Sequence, residues 1–277
     1  MQSIKNWIKK KFGRLIYRRL TAISRKEEIL DWLDAPGNIL FKRLSDASYN
    51  IFTYHGEDGI LLYILKKIKN IPTTFIDIGS GDCIKSNCAL LAYHFDWNGI
   101  FIDMNENQLE IGKSFYNRKI KTGLNIKFVK EQVTVENINE LLKSNLEESE
   151  IGLLSIDIDG NDYWIWKAIE TIRPRIVVIE AKVEFGFRNV IVPYGQKNHH
   201  SVDKKYNGAS VEALKRLGAK KGYKLIGANK QGYNLFFVRN EDNILSESIK
   251  EILSDTITLN SFYPDSFFSK YKFITEQ

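Results

Sequence analysis

The sequence predicts an α/β fold: a doubly wound, seven-stranded, mostly parallel sheet closed by an antiparallel hairpin at its C-terminal end, with helices ahead of it. Three observations carry this expectation. Short apolar runs rich in β-branched residues alternate with polar-faced stretches of about a dozen residues, the signature of β-α-β units. The first run, Phe75-Ile76-Asp77-Ile78, passes straight into a Gly79-Ser80-Gly81-Asp82 turn. The last two runs, Tyr223 to Gly227 and Asn234 to Val238, are joined by a short loop containing glycine, which suits a hairpin.

With 277 residues the chain has the length for one sizeable core, read as a basic helical extension (1–50), an α/β domain (51–240) and a C-terminal extension (241–277). The formal charge of +6 is uneven: residues 1–26 hold nine Lys and Arg and no acid, leaving 31 basic against 34 acidic residues elsewhere. Basicity confined to a tail removes the main support for a nucleic-acid partner. In that tail Ile4, Trp7, Ile8, Phe12, Leu15, Ile16, Leu20 and Ile23 recur at helical spacing opposite the cations. Such a helix packs on its own domain or on a sister subunit, or lies on an anionic membrane surface. No run has the length of a membrane-spanning helix, so the expected place is the cytoplasm, with peripheral contact to the inner membrane face as the sharper reading of this helix. The two cysteines, Cys83 and Cys88, are too few for a zinc site or disulfide scaffold and read as reduced packing residues.

Ala35-Pro36-Gly37 is a break, and Phe52 to Lys67 then opens a helix with Glu57 and Asp58 in its first turn, where acids complement the helix dipole. Glu57 also borders the expected ligand edge. The turn after Ile78 is the centre of the reading, because glycine lets the backbone approach a ligand closely. Asp77 before it and Asp82 after it would repel a pyrophosphate and attract the ammonium and sulfonium of S-adenosylmethionine. A helix over Lys85 to Phe95 leads to a second strand, Gly99 to Asp103, whose terminal carboxylate is placed to accept from two ribose hydroxyls. His94 in that helix reads as packing; His55 is open between roles.

A third strand, Ile126 to Val129, is followed by Glu131, Gln132 and a helix through Leu146. The fourth, Ile151 to Ile158, is the most apolar and runs into Asp157, Asp159 and Asp162; the fifth, Pro174 to Ala181, ends at Glu180. So many like charges at one edge call for neutralisation. Either Asp157, Asp159 and Glu180 hold Mg²⁺ or Mn²⁺, or Asp159 or Asn161 caps the helix over 163–172. The long polar loop 182–207 brings His199-His200, an imidazole pair suited to stripping a hydroxyl proton. Helix 208–222 precedes the hairpin, and no role is legible beyond Asn240.

Together these residues resemble a bacterial group of class I S-adenosylmethionine-dependent methyltransferases with a Rossmann-like fold, related to the FkbM-like enzymes and found in surface-polysaccharide biosynthesis. The matching stretches are Tyr54 to Ile60, Phe75 to Asp82, Ser86-Asn87, Trp97 to Gly99 with Ile102-Asp103, and Val133 to Asn139. They continue with Leu153 to Ala168, Val177 to Glu180, Val192 to Tyr194, Gly208 to Ser210, and Gly222 to Arg239. The resemblance implies Asp77, Gly79, Gly81 and Asp103 as cofactor contacts and an acidic fourth-strand end facing the acceptor. Glu57, Asp82, Asn87 and Gln132 complete the candidate cofactor set, and Asp157, Asp159, His199 and His200 the catalytic one. The expected reaction is methylation of a hydroxyl, or else a nitrogen, of a small polar acceptor such as a sugar or a phosphorylated or nucleotide-linked capsule precursor. The rivals are a metal-dependent glycosyltransferase using Asp157 and Asp159, and a membrane-associated scaffold. Ala181-Lys182 departs from the aromatic-Asn pair expected there, and residues 183–191 match poorly.

Overall fold

In the computed structural model, residues 41–195, 205–254 and 262–277 are described. The basic helix expected over residues 1–26 and the His199-His200 pair lie outside them. Seven strands form one sheet in the order β3-β2-β1-β4-β5-β7-β6. They are β1 (Thr74–Ile78), β2 (Asn98–Asp103), β3 (Ile126–Lys130), β4 (Glu150–Ile156), β5 (Arg173–Glu180), β6 (Tyr223–Ala228) and β7 (Asn234–Arg239). The first five are mutually parallel, and β7 runs antiparallel to both β5 and β6. This is the doubly wound, Rossmann-like sheet with its closing hairpin that the sequence predicts. The strand order reverses between β1 and β4, and that is where a crevice opens at the carboxyl edge.

The period-two geometry of strands explains why the central runs are apolar throughout. Ile76, Ile78, Leu154, Ile156, Val177, Ile179, Leu235 and Phe237 point into one core layer. Phe75, Leu153, Ile176, Val178, Phe236 and Val238 point into the other. Helices α1 (Glu57–Lys67), α2 (Ala89–His94) and α3 (Glu106–Lys121) cover the second face through Ile60, Ile64, Leu91, Leu109 and Tyr116. Helices α4 (Ile138–Asn145), α5 (Asp162–Ala168) and α6 (Val211–Lys220) cover the first through Ile138, Leu142, Trp166, Leu214 and Leu217. Cys83 and Cys88 are free and buried, as expected of packing residues.

Several expected elements are shorter than the pattern suggests, each for a local reason. The helix expected from Lys85 starts at Ala89. Ahead of it, Asp82 Oδ1 accepts from the Ile84 and Lys85 amides at 3.0 Å each, and Ser86 Oγ accepts from the Cys88 amide at 2.9 Å, so a turn is built first. The fourth strand stops at Ile156 because the Ile158 amide donates to Asp162 Oδ1 at 2.8 Å and leaves the ladder. The helix expected over 163–172 spans Asp162–Ala168, and its final carbonyls are taken by Asn139 Nδ2 on Ala168 and Lys221 Nζ on Ile169, both at 2.7 Å.

Both flanks contribute to the cores. Leu44 and Ala47 join the layer under α1. At the other end helices α7 (Ile249–Ser254) and α8 (Asp265–Lys270) follow the hairpin. Ile252 and Leu253 enter the first core layer. Beyond them Phe267 joins Phe185, Val192 and Tyr206 in a satellite cluster, with Tyr271 and Phe273 packed against it. Ile274 pairs with Ile191 through two backbone hydrogen bonds of 2.8 and 2.9 Å, and the Tyr271 ring stacks on Tyr206 at 4.4 Å. The carboxylate of buried Glu276 forms ion pairs with Lys220 and Lys167. The last sixteen residues therefore fasten the segment after β5 to the body. Replacing Phe267 with Ala is expected to cost about 3 kcal/mol in urea unfolding, the usual scale for truncating a buried ring.

Candidate functional site

Gly79 marks where β1 leaves the sheet. Its φ is +83°, and a Cβ at this position would stand 1.8 Å from the carbonyl oxygen of Asp157. Only a residue without a side chain fits between the ends of β1 and β4. The turn is tied to the neighbouring strand by the Gly79 and Ser80 amides, which donate to the Ile102 carbonyl at 2.9 and 3.1 Å. One residue on, the Gly81 amide donates to Asp103 Oδ2 at 2.8 Å, and the other Asp103 oxygen accepts from the Asn105 amide at 2.7 Å. The first turn and the acid that ends β2 are thus joined directly, 22 residues apart in sequence.

Behind this turn lies a cavity of about 230 Å³ between β1, β4 and the segment that precedes α1. It is lined by Asp77, Gly79 and Ser80 from the end of β1, by Lys85, Ser86 and Asn87 after the turn, by Ser155 and Asp157 from the end of β4, by Thr53, Tyr54, His55 and Glu57 from the start of α1 and the segment before it, and by Asn234 of β7. Asp77 is buried, accepts a hydrogen bond from Ser86 Oγ, and is bonded by Ser155, its neighbour in the ladder. Asn87 Nδ2 donates in turn to Ser155 Oγ at 3.2 Å. Burial pushes the Asp77 carboxyl up to about 6, against those two hydroxyls, which pull it down.

The structure gives the first-turn acids of α1 more to do than complement a dipole. Glu57 Oε1 accepts from Asn229 Nδ2 at 2.8 Å and Asn234 Nδ2 at 2.9 Å, and Oε2 from the His55 amide at 3.0 Å. It lines the cavity while bracing the hairpin. Asp58 Oδ2 collects the amides of Ile51, Phe52 and Thr53 and the Thr53 hydroxyl at 2.7 to 2.8 Å. Burial nevertheless raises this carboxyl to about 6.

At the ends of β4 and β5, carboxylate oxygens of Asp157, Asp162 and Glu180 lie within 4.8 Å of one another. Asp159, expected in this group, is not part of it. Its φ of +56° turns it along an exposed bend, while Asp162 reaches back to the amides of Ile158 and Gly160 at 2.8 and 2.9 Å and so enters the cluster. The capping role expected of Asp159 or Asn161 is likewise absent: Asn161 stands at the N-cap of α5 without a side-chain bond. Loss of hydration, then the neighbouring carboxylates Asp162 and Asp159, push Asp157 up to about 7 even though its residue is exposed at the edge. Burial followed by Asp162 and Asp157 carries Glu180 to about 9, with Lys182 opposing.

Other expected residues stand apart from the cavity. Asp82 is buried but spends its carboxylate on the turn before α2, as described, and is not among the residues lining the cavity. Gln132 is exposed past β3, with its amide donating to Glu131 Oε1 and its carbonyl accepting from Asn137. His94 is packed between the rings of Phe52 and Tyr93, as expected. The cavity also gains residues that local sequence reading did not single out. Asn234 stands across the β5–β7 ladder from Glu180, a pairing with no local sequence signal. Lys85 carries the one cationic side chain among the residues lining the cavity.

No family model matches the sequence, and no curated protein does. Among solved structures the chain is similar to an O-methyltransferase from Bacillus cereus in complex with SAH, at 14% identity over 86% of this chain and 97% of that one, TM-score 0.47. It is also similar to the O-methyltransferase TomG from Streptomyces achromogenes, involved in tomaymycin synthesis and solved with SAM, at 15% identity over 88% and 96%, TM-score 0.45. A third is a SAM-dependent methyltransferase from Geobacter sulfurreducens in complex with S-adenosyl-L-homocysteine, at 13% identity over 72% of each chain, TM-score 0.38. Likenesses of this degree leave the activity to be argued from the site itself.

The carboxyl edge has a consequence for stability. Asp77, Asp157 and Glu180 hold protons in the folded chain that the unfolded chain releases near pH 4 to 4.5, so the stability these three groups contribute is fully present below about pH 4 and is lost as pH rises through about 6, 7 and 9. The unfolding midpoint without ligands should therefore drop between pH 5 and pH 9, and Glu180→Gln should flatten the upper part of that decline; a midpoint independent of pH would contradict the crowding described here.

Proposed function

We propose that this chain is an S-adenosylmethionine-dependent methyltransferase acting on a hydroxyl, or else a nitrogen, of a small polar acceptor. The observation that carries the reading is the junction of the Gly79 to Gly81 turn with Asp103 at the strand-order reversal, beside a cavity walled by Glu57, Asp77 and Asp157. Such walls suit an ammonium and a sulfonium and disfavour a diphosphate. Gly79, where any Cβ would strike the Asp157 carbonyl, supports a close backbone approach. When bound, S-adenosylmethionine would supply an electrophilic methyl group on a cationic sulfur.

In this reading Asp103 takes the ribose hydroxyls. Asp77, Gly79 and Gly81 surround the amino-acid end, with Asn87 steadying Ser155 behind them. Asp157 orients the acceptor, with Asp159 on the outer bend. Most of the rate would come from alignment of the acceptor atom with the methyl group. The motifs shared with the FkbM-like group support a sugar, or a phosphorylated or nucleotide-linked precursor of surface polysaccharide, as acceptor. Separately, the cations of residues 1–26, at helical spacing opposite Trp7 and Phe12, support peripheral contact of a cytoplasmic chain with the inner membrane face, or a self-association segment. No helix among the described residues is long and apolar enough to cross a membrane.

One observation favours an additional component. The oxygens of Asp157, Asp162 and Glu180 are spaced as hard-cation ligands are, and would hold Mg²⁺ or Mn²⁺. The same observation weakens the glycosyltransferase alternative in its original form, because Asp159 leaves the pair it needs.

Calorimetry with S-adenosylhomocysteine tests the main reading: binding by the intact chain is expected, with Asp103→Ala weakening it at least about tenfold, the worth of a charge-assisted hydrogen bond. No heat with the intact chain, or equal affinity in the variant, would count against the assignment. Manganese titrated into the chain should release protons from the crowded carboxyls, and Glu180→Gln should abolish that release.

A further inference from the structure

Two histidines fall among the described residues, and only one can meet a ligand. His94 is 8% exposed, with its ring against Phe52 and Tyr93. His55 is exposed on the cavity wall, its ring edge-on to Tyr233 at 6.2 Å, and neither ring nitrogen hydrogen-bonds to a described residue. We propose that His55 is the base that takes the acceptor's hydroxyl proton during methyl transfer; this rests on the methyltransferase reading above.

The backbone that carries His55 is held by its neighbours' side chains, with Ile51, Phe52 and Thr53 buried and Tyr54 and His55 exposed. Side-chain hydrogen bonds fix residues 51–56: the Asp58 carboxylate accepts four, Thr53 Oγ1 accepts from the Asp58 amide, Glu57 accepts from the His55 amide, and Asn50 donates to the Tyr54 carbonyl and accepts from the Gly56 amide. Two of the acceptors are carboxylates buried to 2% and 0% exposure, a costly choice for positions whose neighbours could have been apolar. The cost is understandable if the segment must present a group at a fixed place, since positioning a reacting group within a fraction of an ångström is what catalysis requires. Glu57 adds direction. Through Asn229 and Asn234 it ties this wall to the hairpin that faces Glu180, so His55 and Asp157 line one cavity from opposite elements.

The step balances without a further reactant. As the acceptor oxygen forms its bond to the methyl carbon, the carbon–sulfur pair returns to sulfur, which becomes a neutral thioether; the hydroxyl proton passes to the free imidazole nitrogen and from there to water. Imidazole suits this task because the neutral ring has one nitrogen that accepts a proton while the other keeps its own. Of the carboxylates in the same cavity, Glu57 is taken up by Asn229 and Asn234, and Asp157 and Asp77 are left to orient the acceptor and the cofactor.

The test needs no acceptor. An S-adenosylmethionine analogue whose methylsulfonium is replaced by a carbon bearing an ammonium places N–H donors where the methyl group would lie. If His55 faces that point, its ring ¹⁵N resonances should move in the analogue complex relative to the S-adenosylhomocysteine complex. His55→Phe, which keeps the ring contact with Tyr233, should weaken the analogue about tenfold, the scale of a hydrogen bond to a charged group, while S-adenosylhomocysteine stays within about twofold. Identical ¹⁵N spectra in the two complexes, or equal weakening of both ligands, would overturn the role of His55. Failure of the intact chain to bind either ligand would instead remove the methyltransferase reading, and this proposal with it.

Discussion

Carboxylates brought together at the carboxyl edge of the parallel sheet are the constraint on which the rest of the site depends. Asp77 is the last residue but one of β1, Asp157 follows β4 and Glu180 ends β5, and the sheet sets these strands side by side. Parallel pairing gives the chain no choice about this, because every parallel strand delivers its last residue to the same edge. Like charges so placed must keep protons, borrow hydrogen bonds or meet a cation. The chain does the first two in the free state: hydroxyls of Ser86 and Ser155 serve Asp77, amides of Ile158 and Gly160 serve Asp162, and Asp157 and Glu180 retain protons beyond their ordinary range.

The same constraint connects fold to function. A cationic ligand entering the crevice relieves repulsion that the folded chain already carries, so binding and proton release are linked. The two glycines of the turn play unlike parts. Gly79 is demanded by crowding against Asp157, whereas Gly81 has open space around it and is used for its positive φ and for the amide that meets Asp103. On the far wall the acids of α1 are directed at the protein itself, holding residues 51–55 and the β6–β7 hairpin against the cavity.

Much of the fold was legible in the sequence because it follows from local rules. A buried strand announces itself by an apolar run, and a covering helix by spacing of three and four residues, so Phe75 to Ile78, Ile151 to Ile156 and the α6 stripe were readable. Element ends were less so. Asp82, Asp162 and Lys221 decide where α2 begins, where β4 stops and how α5 ends, and each acts through a side chain reaching amides or carbonyls that sequence spacing does not reveal. The C-terminal segment was unreadable for a related reason: Phe267, Tyr271 and Phe273 find partners at Phe185 and Tyr206, more than sixty residues away.

By itself, the sequence determined the strand–turn–helix core, the Gly-x-Gly turn with its acids, and the acid that ends β2, since each depends on residues adjacent along the chain. Tertiary structure alone decided that Asp162 and not Asp159 joins Asp157 and Glu180, that Asp82 serves a turn, and that His55 and Asn234 face the crevice. Those outcomes turn on backbone dihedrals and cross-strand register, which fix where a side chain points only after distant segments have packed.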